Sequence, residues 1–231
     1  MLDTIYLLAL LVIATIVSLV FFMIRSDRRQ RQLKSDLVAR LGFNPSDIQD
    51  TDLGDRTVKL HTPTDSQQLE LTNTYLRTAG EVRFLLFGLV DTSDGISMLQ
   101  EDGIAVFSNH LNLLRFSIFP EVVDGGHLSM WGNRFLEKLF ERRGGLVEME
   151  DYPRFDERYF LVANSPAPVL VFFNPYRLSV LSVEPYQSIE AGGSIFTYAR
   201  FSLQHSNLRK GFDLEASLAQ ARNPYQIFQP E

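Results

Sequence analysis

The chain has 231 residues, 45% of them hydrophobic and 22% charged, which is the composition of a folded protein with room for one membrane anchor and one domain. Cysteine is absent, which excludes disulfides, thiolate zinc sites, iron–sulfur clusters and cysteine nucleophiles. The net charge of −6 is uneven: residues 1–34 carry +3 and residues 35–231 carry −9, so the larger part lacks the clustered Lys/Arg that nucleic-acid binding requires.

Ile5 to Ile24 (IYLLALLVIATIVSLVFFMI) is a run of 20 residues without charge, Pro or Gly. As a helix rising about 1.5 Å per residue it matches a hydrocarbon core of roughly 30 Å. A helix buried in a globular core would be shorter. A cleaved leader would want leading basic residues and small residues near its end; the chain instead offers Asp3, then Phe21, Phe22 and Met23. The expected span is therefore retained. Behind it stand Arg25, Arg28, Arg29, Arg31 and Lys34 against Asp27 alone. Positive residues stay cytoplasmic, so the N-terminus is expected outside and the rest of the chain in the cytosol. The same side chains can lie on anionic headgroups at the membrane surface.

The expected organisation is an extracytoplasmic tail (1–4), a single-pass transmembrane helix (5–24), a basic juxtamembrane and stalk helix (25–43) and a cytosolic α+β domain (44–231). Leu33, Leu37, Val38 and Leu41 form an amphipathic stripe along the stalk, and Gly42 stands where a C-cap belongs. The stripe is too short to claim a coiled-coil seam. Asn44 to Gly54 is polar and reads as a loop. Asp50, Asp52 and Asp55 do not form an EF-hand, because Asp55 and His61 occupy the positions that need Gly and Glu.

Arg56 to Pro120 reads as strands in an antiparallel meander. Val58, Leu60, Leu69, Leu71 and Tyr75 alternate with polar residues, and Val82 to Val90 is a nearly continuous apolar run. Ala79-Gly80, Asp94-Gly95 and Asp102-Gly103 read as turns. Leu113 to Phe119 is a further strand ended by Pro120. Trp131 to Arg143 is predicted helical and Tyr159 to Val162 a strand. Pro166 to Val183 reads as a helix pair broken at Asn174-Pro175. Ile189, Gly192-Gly193 and Ile195 to Phe201 predict a closing hairpin. Asp213 is placed to cap a last helix, Leu214 to Arg222, before Pro224. Strands first and helices later give an α+β fold: an antiparallel sheet with helices packed in the C-terminal half.

The chain has no P-loop, dinucleotide fingerprint, nucleophile elbow or kinase set. Its histidines, His61, His110, His127 and His205, share no metal-ligand spacing and read as surface or turn residues. No cofactor or metal is expected. Asp124-Gly125-Gly126-His127 is the weak catalytic candidate: the glycines free backbone amides, and Asp124 with His127 could relay a proton. A loop between strand and helix explains the same residues. Glu148 to Tyr159 (EMEDYPRFDERY) could be a docking surface, but Tyr152, Phe155 and Tyr159 are expected to tie the strand to the core while the charges stay in water.

Leu113 to Glu121 (LLRFSIFPE), followed by Tyr152 to Tyr159 (YPRFDERY), resembles a group of bacterial membrane proteins with no assigned activity. Those have one or two N-terminal spans, a stalk helix ending in a Leu-Gly-Phe-like turn, and a cytosolic α+β domain. Gly192-Gly193 and Ile195 to Tyr198 fit the hairpin of that group. The resemblance implies topology and fold and carries over no catalytic residue. The expected function is a membrane-tethered protein-interaction or scaffold module, with a membrane protein or a second copy as partner. The alternative is a membrane-bound hydrolase with a dispersed Asp/His or metal site. A transport or lipid-handling role would need an apolar groove near the membrane.

Overall fold

A computed structural model of the chain describes residues 21–22, 25, 35–46, 52–61, 69–91, 101–120, 144–183, 188–199 and 214–229. The chain divides into two compact units, Met1–Asn44 and Pro45–Glu231. In the first, residues 35–40 are helical. Gly42, at φ 78°, turns the chain out of the helix. Its N–H donates to Ala39 O at 3.0 Å, and Phe43 N–H donates to Val38 O at 3.1 Å. This is the expected Leu41-Gly42-Phe43 closure. No helix among the described residues is long and apolar enough to cross a membrane. The expected span lies outside the described residues except for Phe21 and Phe22, which are helical and exposed.

The strands are β1 (Asn44–Pro45), β2 (Leu69–Ala79), β3 (Val82–Asp91), β4 (Glu101–Ser108), β5 (Leu113–Pro120), β6 (Gly145–Leu146), β7 (Tyr159–Ala163), β8 (Ser188–Gly193) and β9 (Ile195–Ala199). They form one sheet in the order β1-β2-β3-β4-β9-β8-β5-β7-β6. Every pairing from β2 onward is antiparallel. The helices are α1 (Asp52–His61), α2 (Pro153–Asp156), α3 (Pro166–Phe172), α4 (Pro175–Val183) and α5 (Leu214–Phe228). The fold is α+β, as expected.

The expected meander holds only for β2-β3-β4. The β8–β9 hairpin enters between β4 and β5, although those two strands are joined by a short connection. Ser108 N–H, at the end of β4, donates to Ser194 O at the hairpin tip across 3.1 Å. Gly193, at φ 62°, supplies the tight turn.

Alternation along β9 shows how the helices are layered. Ile195 packs in one core with Leu53 and Leu60 of α1, with Leu85, Phe87 and Leu89 of β3 and with Phe107 of β4. Its neighbour Phe196 meets Phe228 of α5, with ring centroids 5.5 Å apart. Successive strand residues point to opposite faces, so α1 covers one face and α5 the other. On the α5 face, Phe116 also meets Phe172 and Phe173. Both faces being covered explains why Phe84 to Val90 and Ile104 to Phe107 are buried without alternation.

Three expectations are corrected. The stretch read first as a loop and then as a strand contains α1 over Asp52–His61. Leu53, Thr57, Leu60 and His61 are all buried, a helical spacing, and Arg56 pairs with Asp52 at 2.6 Å across one turn. The alternation of Val58 and Leu60 was too short to separate the two periods. Asp102-Gly103 is not a turn: both residues pair within β4, opposite Gly88 and Phe87. The last helix does not end before Pro224 but runs through it to Phe228, because burial of Ile227 and Phe228 outweighs the backbone hydrogen bond that proline removes. The Ala79-Gly80 turn, with Gly80 at φ 61°, the Tyr159 strand, the helix pair and the closing hairpin match expectation. The Asp94-Gly95 turn, the Trp131–Arg143 helix and the Asp213 cap lie outside the described residues.

Candidate functional site

Asp124 and His127 lie outside the described residues, as do Arg28, Arg29, Arg31, Lys34 and His205. Arg25 is helical and exposed. His110 is an exposed turn residue, as expected, and its Nε2 pairs with Glu81. Among the described residues no three His, Asp or Glu side chains group as a metal ion would need.

His61 is not a surface residue. It ends α1, and its Nδ1 lies 3.1 Å from Oε1 of Glu190 on β8, with side-chain exposures of 4% and 6%. Its ring stands edge-on to Phe87 at 5.6 Å. Thr57, Ser117, Ser188 and Thr197 are buried polar side chains of the same unit, and Thr57 donates to Leu53 O within α1. At the surface, the Arg115 guanidinium donates to Lys59 O and Leu60 O. It thereby caps the carbonyl end of α1, where a cation opposes the helix dipole. An imidazole–carboxylate pair can move protons, but this one is shut inside the α1 layer. It ties α1 to the inserted hairpin, and a substrate has no access to it.

Among the described residues an accessible concavity lies between α2 and α4. It has a volume of about 660 Å³ and is lined by Tyr152, Pro153, Arg154, Arg158, Ser179 and Val183 among others. The geometry follows from the local sequence. Pro153 starts the short α2. Phe155 is fully buried and stacks near Tyr159 at 5.5 Å, so those two aromatics do tie the segment to the core. Tyr152 is only half-buried and faces the depression. Met149 N–H donates to Asp156 Oδ2 at 3.0 Å, which folds the acidic strip back onto α2. Burial pushes the Asp156 carboxyl above its usual range; the Met149 bond pulls it down, and nearby Glu148 pushes it up. On the other wall, Arg158 donates to Ser182 O.

No family model, curated protein or solved structure matches the chain. The site must therefore be read from its own chemistry. In α4, Leu178 and Leu181 are buried, while Tyr176 is 64% and Val183 80% exposed. Tyr176, Ser179, Val180 and Val183 share the outward face by helical spacing. In α3, Val171 is also exposed. Among the residues lining the depression, the carboxylates of Asp151 and Glu157 are exposed, against the exposed guanidinium of Arg154 and the half-buried one of Arg158. Such a surface, apolar at Tyr152, Pro153 and Val183 and balanced in charge, can seat side chains of a protein partner. Its two serine hydroxyls are spent within α4, Ser179 donating to Tyr176 O and Ser182 to Leu178 O. The sequence PYRLSVLSV is apolar along both faces of α4, so periodicity could not say which face stays in water.

Proposed function

We propose that the protein is a membrane-tethered interaction module without catalytic activity, held by the span Ile5–Ile24 with its N-terminus outside and residues 25–231 in the cytosol. The basic residues Arg25 to Lys34 anchor it at the inner membrane surface. The observation that carries the docking role is the outward face of α4: Val183 and Tyr176 stand in water beside the α2–α4 depression. An ordinary solvent-facing helix places polar side chains there. The tether adds effective concentration toward any partner in the same bilayer.

Copurification from mild detergent tests this reading. Wild type is expected to retain a membrane protein that Val183→Asp and Tyr176→Asp lose, with both variants folded. Recovery of the same proteins by wild type and both variants overturns the docking surface. Recovery of the chain from the soluble fraction, free of sedimented membranes, overturns the tether. The hydrolase alternative rests on Asp124 and His127, and no described side chain favours it.

A further inference from the structure

The inward side of α1 is thinly apolar. Of its 10 residues, those buried are Leu53, Gly54, Thr57, Leu60 and His61, so it is anchored by two large apolar side chains. A helix this short is marginal on its own in water, and Gly54 weakens it further. The sheet beneath offers apolar contact on one side only. Cross-strand pairing sets Leu85, Ala105, Thr197, Glu190 and Ser117 in one row, from β3 through β4, β9 and β8 to β5. The row turns from apolar to polar where His61 meets Glu190. Further polar ties lie on the hairpin side: Arg56 Nη1 donates to Ser194 Oγ across 2.9 Å, and Arg115 donates to Lys59 O and Leu60 O. α5 is held differently. Its Leu218, Ala221, Ile227 and Phe228 are buried, and Phe228 packs against three elements.

The geometry points to α1 as a lid that opens as a unit, latched by the His61–Glu190 pair, over the apolar face made by Leu85, Phe87, Leu89 and Phe107. Elements with few buried apolar contacts open while the rest of a fold stays closed. The buried pair is the latch, because breaking it leaves a polar group under the closed lid. Arg56 and Arg115 are exposed, so water replaces their bonds readily. Opening bares the apolar face and leaves the α5 layer in place. This gate is independent of the α2–α4 surface and of the membrane tether.

The chain has no cysteine, so a single introduced thiol can report each face. Ala105→Cys places it in the core under α1, and Ala191→Cys places it on the α5 face, where Ala191 pairs with Phe116 and Phe196. Both positions are 0% exposed. The full chain in nonionic detergent is treated with N-ethylmaleimide. Without denaturant Ala105→Cys is expected to react about a hundredfold faster than Ala191→Cys, with a shallow urea dependence where the other is steep. Equal rates with the same steep dependence overturn the lid. Phe228→Ala weakens the α5 layer in the closed and open forms alike. It is expected to speed labelling of Ala191→Cys about tenfold or more and to leave Ala105→Cys unchanged; equal acceleration of both overturns local opening. His61→Ala is expected to speed labelling of Ala105→Cys about tenfold, and an unchanged rate overturns the latch. Should a cysteine variant fail to fold, hydrogen exchange of the wild type decides. Amides of α1 exchanging ahead of those of β3, β4 and β9 support the lid, and exchange of all four together overturns it.

Discussion

Phe87 lies over Gly103 so closely that a β-carbon on the glycine would stand 2.7 Å from the ring Cζ. The two residues are cross-strand partners in β3 and β4, and Phe87 is buried in the α1 core. The ring thus occupies the space that a side chain at position 103 would need. Gly103→Ala is expected to cost about 1–3 kcal/mol, the usual penalty of overpacking. Urea denaturation checks this: the midpoint should drop, and Phe87→Leu added to Gly103→Ala should recover part of the loss. An unchanged midpoint for Gly103→Ala would mean the ring moves aside freely.

The buried pair His61–Glu190 joins the N-terminal helix α1 to a hairpin near the other end of the chain. Removing one member leaves a polar group facing the core. Glu190→Ala and His61→Ala are each expected to cost about 3 kcal/mol. The double apolar replacement His61→Phe with Glu190→Leu should be milder than the sum of the two single losses. A double-mutant cycle by chemical denaturation measures the coupling, and strictly additive losses would refute the tie.

How far these features were legible in the chain depends on the residue. Gly80 and Gly193 could be read as turns because a tight hairpin needs positive φ, and both have it. Gly103, in Asp102-Gly103, also read as a turn and meant something else. Its reason is the Phe87 ring, a partner remote in sequence that no local pattern reveals. Asn174-Pro175 correctly marked a break between α3 and α4. Pro224 gave the same signal and was overridden by burial of the helix end. The position of β8–β9 inside the sheet was hidden for another reason. Sequential strands usually pair with each other, and the short β4–β5 connection pointed to an ordinary hairpin. In the candidate site, the acidic segment Glu148–Tyr159 was visible as a docking surface or a tie to the core. Phe155 and Tyr159 serve as the tie, and Tyr152 lines the depression. The opposite wall was not legible, because both faces of α4 are apolar.

Phe228 sits where three elements converge. Its ring lies 5.7 Å from Phe116 of β5, 5.8 Å from Phe172 of α3 and 5.5 Å from Phe196 of β9. Arg177 reinforces the junction, donating Nε to Ile227 O at 2.7 Å while its guanidinium lies 4.2 Å above the Phe172 ring. Phe228→Ala is expected to cost about 3–5 kcal/mol, and thermal unfolding should show it as a large fall in Tm. Phe228→Leu should restore most of the loss. A small effect of the alanine variant would mean that the end of α5 is dispensable.

Asp156 links stability to pH in the region of the depression. Burial, above all, raises its folded-state carboxyl above the ordinary value of 3.8. A raised folded value means that the folded protein holds the proton more tightly than the unfolded chain. The contribution to stability is therefore full below pH 3.8 and is lost as pH rises through the folded value. At neutral pH the ionised carboxylate is a burden, partly offset by the Met149 N–H bond. Asp156→Asn keeps an acceptor for that N–H and removes the charge. It is expected to be at least as stable as wild type at neutral pH, with its relative advantage shrinking as pH falls toward 3.8. Asp156→Ala loses the acceptor and should cost about 1 kcal/mol at neutral pH. Denaturation curves of the three proteins across that range decide the matter. An asparagine variant that gained relative to wild type on acidification would reverse the sign and refute the burial argument.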